Sequence, residues 1–130
     1  MYKYGIVSML SIHAIFLQSQ PDIFPLKSVV VEIIASHEKL KGDVSILKKK
    51  SGDFLPGTSQ LFVSSSVLPK LDVLLEESKN IASLYVKHEQ ENEKKYSSWA
   101  KLAGKARENK QRIQRFLPDI AFLQLPSDKN

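Results

Sequence analysis

The 46 residues from Leu71 to Phe116, LDVLLEESKNIASLYVKHEQENEKKYSSWAKLAGKARENKQRIQRF, decide the fold of this chain. Stepping from Leu71 alternately by three and by four meets Leu71, Leu74, Ser78, Ile81, Tyr85, His88, Asn92, Lys95, Trp99, Leu102, Ala106, Asn109, Ile113 and Phe116 without a slip. This is the a/d spacing that keeps one edge of a helix turned toward a neighbour. No proline follows the first turn of the stretch from Leu68 to Leu117, and Gly104 is its only glycine. The pattern therefore predicts one long C-terminal helix over 68–117, about 75 Å at 1.5 Å per residue. Apolar side chains crowd its two ends, while Ser78, His88, Asn92 and Lys95 make its middle polar. A compact domain cannot cover such a length, so the helix either bends back near that polar centre or runs as a rod against another chain. The rod is the expectation taken here. A polar residue on the seam, Asn92 or Asn109, would fix register and partner number.

Upstream, Leu26, Val30, Ile33, His37, Leu40, Val44 and Leu47 repeat the same steps and predict a second helix over 26–47, with Pro25 in its first turn. Gly42-Asp43 and the β-branched run Val29-Val30-Val31 weaken it. The segment 48–67 reads as a loop, most irregular over 48–60, where Gly52, Pro56 and Gly57 show no helical period. Leu61 to Val67 fits either a short strand or the approach to a helix cap. Pro118 ends the long helix, and the tail 118–130 keeps Ile120, Phe122, Leu123 and Leu125 as a small apolar group. The fold class is all-α, a helical hairpin or coiled coil with one long C-terminal helix; in the absence of a partner helix, Leu26 to Leu47 folds back as an antiparallel hairpin through the loop at 48–60.

At the N-terminus, Ile6 to Leu17 is an apolar run of 12 residues, too short to span a bilayer as a helix. A cleaved signal needs small residues next, whereas Gln18, Ser19, Gln20 and Pro21 follow. Residues 1–20 therefore read as an apolar helix or a targeting-like segment, a membrane partner is not expected, and the expected location is cytoplasmic or nuclear.

Composition narrows the chemistry. Among 130 residues there is no cysteine, which removes disulfides, Cys-ligated zinc, iron–sulfur clusters and thiol nucleophiles. The length suits one domain rather than a large two-domain enzyme. No Gly-x-Ser-x-Gly elbow and no Gly-x-x-x-x-Gly-Lys loop occurs. His13, His37 and His88 stand far apart, each within a predicted helix, where a packing role with one hydrogen-bonded ring nitrogen outweighs metal ligation. The acids Glu76, Glu77, Glu89, Glu91 and Glu93 alternate with lysines as a solvated helix face does. No catalytic residue, metal or cofactor is assigned.

The net charge is +5, and Lys101, Lys105, Arg107, Lys110, Arg112 and Arg115 against the single Glu108 carry that same surplus locally. Such a cationic helix face fits phosphates or an acidic protein surface, or it serves only solubility and the helix dipole. The expected function is a non-enzymatic coiled-coil interaction subunit of a larger complex, cytoskeletal or trafficking in kind. It would hold partner helices, in a homo- or hetero-oligomer, through Leu71, Leu74, Ile81, Tyr85, Trp99, Leu102, Ile113 and Phe116, and through Leu26, Val30, Ile33 and Leu40. The alternative is a basic helical nucleic-acid-binding module using residues 101–115.

Overall fold

The computed structural model describes residues 22–126; the apolar helix or targeting-like segment expected over 1–20 lies outside the described residues. It contains four α-helices, α1 (Phe24–Lys50), α2 (Ser59–Gln90), α3 (Tyr96–Gln114) and α4 (Leu117–Leu123), with a 3₁₀ turn at Ser51–Asp53 and no strand among the described residues.

Each boundary has a local cause. The Asp22 carboxylate accepts the Phe24 amide at 2.9 Å, and Pro25 sits in the first turn of α1, where its missing N–H leaves no bond unmade. Gly42-Asp43 does not end the helix. α1 runs on to Lys48, Lys49 and Lys50, whose charges complement its C-terminal dipole, because Val44 and Leu47 beyond the glycine are buried. The β-branched run likewise stays helical: Val30 is fully buried, and packing overrides propensity. The irregular stretch shrinks to Ser51–Thr58, with Gly57 at φ +80° making the turn. Thr58 then caps α2 by accepting the Leu61 amide at 3.2 Å, so Leu61 to Val67 is helix rather than strand or loop.

The single helix over 68–117 is replaced by two. α2 stops at Gln90, and the chain reverses through Asn92 at φ 53° before α3 starts at Tyr96. Asn tolerates this left-handed conformation better than most L residues. Glu93 secures the reversal twice. Its carboxylate accepts the Lys95 amide at 2.9 Å, and its carbonyl accepts Trp99 Nε1–H at 2.7 Å. The longest helices are thus mid-chain, and the last is seven residues long. Pro118 lies in the first turn of α4 instead of opening an unstructured tail.

α1 and α3 run parallel and α2 runs antiparallel to both, as the two core clusters require. One joins the start of α1 (Leu26, Val30, Ile33) to the end of α2 (Ile81) and the start of α3 (Trp99, Leu102, Ala103, Ala106). The other joins the end of α1 (Val44, Leu47) and Phe54 to the start of α2 (Leu68, Leu71, Leu75), Ile113 of α3, and Ile120 and Leu123 of α4. Gln60 donates to the Leu125 carbonyl at 2.9 Å, which fastens the turn after α4 to the first turn of α2.

Candidate functional site

All twelve residues expected to grip a partner helix face inward. Leu71, Ile81, Trp99, Leu102, Ile113, Leu26, Val30 and Ile33 are buried, and Leu74, Tyr85, Phe116 and Leu40 pack against them. The helices they meet belong to their own chain.

Between the two clusters lies one polar layer with a residue from each long helix: His37, Ser78 and Asn109, all buried. Asn109 Nδ2 donates to Ser78 Oγ at 2.6 Å and to the Leu74 carbonyl at 3.2 Å. Ser78 Oγ lies 2.6 Å from His37 Nδ1. Ser78 Oγ also lies 3.3 Å from the Leu74 carbonyl, so the hydroxyl either donates to that carbonyl and accepts from His37 Nδ1–H, or donates to Nδ1 itself. His37 Nε2 and Asn109 Oδ1 have no hydrogen-bond partner among the described residues. Burial, and secondarily the charge of Lys110, lowers the His37 pKa from its ordinary value of 6.5 and keeps the ring neutral. Hydroxyl and imidazole resemble a nucleophile and its base, but both are closed from solvent. Ser78 also sits mid-helix, where neighbouring amides are spent in the helical ladder and none is aimed as an oxyanion donor. What the layer can do is fix how the three helices align.

Within the cluster at the start of α1, Trp99 anchors the α2–α3 reversal. It is 0% exposed, makes edge contacts with Tyr85 (5.6 Å) and His88 (5.2 Å), and carries Lys27 Nζ 4.9 Å from its ring centroid. Lys27 also pairs with Glu89 at 2.7 Å, so one α1 side chain holds the ends of α2 and α3 together.

Lys101, Lys105, Arg107, Lys110, Arg112 and Arg115 are all exposed. At 3.6 residues per turn, Lys101, Lys105, Arg112 and Arg115 share an arc of about 80° on the outer face of α3. Glu108 lies within that arc and pairs with Arg112 at 2.6 Å. Arg107 and Lys110 fall outside the arc, so the six do not form one surface. A shallow groove of about 320 Å³ between α1 and α2 is crossed by the Lys48–Asp72 ion pair, with Lys41 and Glu76 on its walls. Among the described residues, no group of His, Asp and Glu is placed to hold a metal ion, and no helix is long and apolar enough to cross a membrane.

The feature that sequence reasoning missed is on the solvent side of α2. Phe62 is 75% exposed and Val73 69%, with exposed Pro69 between them. Phe62, Ser66, Pro69 and Val73 fall within an arc of about 60°, opposite the buried Leu68, Leu71 and Leu75. Its signal was present in the sequence as a second set of three- and four-residue steps, hidden because Leu61 to Val67 was not read as helix. Comparison with protein-family models, with curated proteins and with solved structures finds no match to this chain.

Proposed function

We propose that this protein is a non-enzymatic helical interaction subunit that meets its partners through the outside of its bundle, the heptad seam being used up within the chain. The observation that carries this reading is the outer stripe of α2. Two large apolar side chains remain more than two-thirds exposed on one face of a helix whose opposite face is already buried. Single exposed apolar residues are ordinary on protein surfaces, but an aligned set of them marks a contact face. A cytoplasmic or nuclear setting suits a chain without cysteine.

The test compares affinity-purified wild-type chain with the Phe62→Glu and Val73→Glu variants, expressed in the cells of origin. Both changes are at the surface, and circular dichroism is expected to show the helical fold intact. The reading expects the co-purifying proteins, second copies of the chain included, to be lost with either variant. An unchanged set overturns it.

A second reading, binding of phosphate-rich or acidic partners, is favoured by the four exposed cations on the outer face of α3. It expects affinity for unrelated DNA or RNA that falls steeply with the logarithm of salt concentration. No binding at low salt removes it.

A further inference from the structure

The outer stripe of α2 is self-complementary. Turned end for end about a two-fold axis level with Val67 and Leu68, the helix sets Phe62 over Val73 of a second copy and Ser66 over Pro69. It also brings Glu76 to the first helical residue, Ser59. Ser66 and Pro69 are the exposed residues nearest that axis, with Ser65 and Lys70 next, and the two serine hydroxyls are already spent on the carbonyls of Phe62 and Val63. The small serines offer two helices close approach without stranding a polar group. Charge agrees with shape. The first turn of α2 contains no acid, so the positive end of its dipole has no side-chain counter-charge there. Glu76 and Glu77, exposed at the far end of the stripe, make no ion pair among the described residues. Antiparallel pairing brings each uncompensated end to the other.

We propose that a second copy of this chain occupies the stripe, in an antiparallel two-fold α2–α2 contact. The proposal rests on the interaction reading above and names the partner. The contact from Ser59 to Glu76 spans about five helical turns and lies at the low end of interface sizes, so the self-association is weak and reversible.

Sedimentation equilibrium of the full chain from about 10 to about 1000 μM tests this. The expected result is a reversible rise from the 14.7 kDa monomer toward twice that mass, lost in Phe62→Glu and in Glu76→Lys/Glu77→Lys. Register is read separately, because the chain has no cysteine of its own. Chains carrying Ser59→Cys mixed with chains carrying Glu76→Cys should form mixed disulfides, and Ser59→Cys chains alone should not. A mass of 14.7 kDa throughout overturns self-pairing, as does cross-linking of Ser59→Cys chains to one another. If the wild-type chain is monomeric but Phe62→Glu still strips co-purifying proteins, only the choice of partner has failed. If Phe62→Glu changes neither measurement, the interaction reading fails with it.

Discussion

His37, Ser78 and Asn109 stand at the level where the bundle changes from one apolar cluster to the other. Sliding α3 along α2 by a turn would preserve apolar contact above and below, but would pull Asn109 away from Ser78 Oγ and the Leu74 carbonyl. Truncating it removes two buried hydrogen bonds and leaves a cavity, so Asn109→Ala should cost about 1–3 kcal/mol of stability in urea unfolding. An unchanged midpoint would contradict the role given to the layer. His37 adds a pH dependence whose sign is fixed by its lowered folded pKa. Above about pH 6.5 the ring is neutral in both states and contributes no difference. As pH falls below that value the unfolded chain takes up the proton first. Stability therefore drops through the window between the unfolded value and the lowered folded one. Unfolding free energies from about pH 7.5 to about pH 5 should show this slope, and His37→Gln should flatten it.

At the scale of elements, the heptad register was legible and the reversal inside 68–117 was not. Leu71, Ser78, Ile81, Trp99, Leu102, Ala106, Asn109 and Ile113 all lie on the buried edge that the three- and four-residue steps select, and Asn109 does sit in the interior. A rod against a partner and a hairpin within one chain bury the same edge, however, so the steps cannot tell them apart. The reversal between Gln90 and Tyr96 contains neither Gly nor Pro, and it interrupts no count of three or four. It depends on one residue in left-handed conformation, Asn92, whose place on the seam disguised it as a register-setting polar position. Asn92→Val should accordingly destabilise the hairpin by about 1–2 kcal/mol, whereas Asn92→Gly should be neutral or stabilising; thermal unfolding distinguishes them. Pro69, which a helix starting at Leu68 would hold in its first turn, is instead internal because α2 starts at Ser59. It is the eleventh residue of α2, well inside the helix, and it deprives the Ser65 carbonyl of its usual amide partner. Because Pro69 is exposed, Pro69→Ala should restore that bond without disturbing the core and raise stability by about 1–3 kcal/mol in urea unfolding. A loss of stability would mean that the helix needs its broken ladder there.

For the whole molecule, one economy of surfaces sets the fold and underlies the proposed function. The strongest apolar seam is spent internally, the reversal at Asn92 and the Lys27–Trp99–Glu89 cluster close one end, and α4 with Gln60 closes the other. The outer surface keeps a cationic face on α3 and an apolar stripe on α2, beside separate exposed apolar side chains such as Phe24 and Ile46. The account stands on the hairpin. Spin labels introduced through Lys70→Cys and Arg115→Cys, both at exposed positions in a chain with no cysteine of its own, read it directly by pulsed electron resonance at low concentration. Adjacent helices lie 8–10 Å apart between axes, so with label linkers the folded-back arrangement predicts a separation of about 20 Å. A continuous helix between those positions would give about 68 Å, and that result would contradict the account.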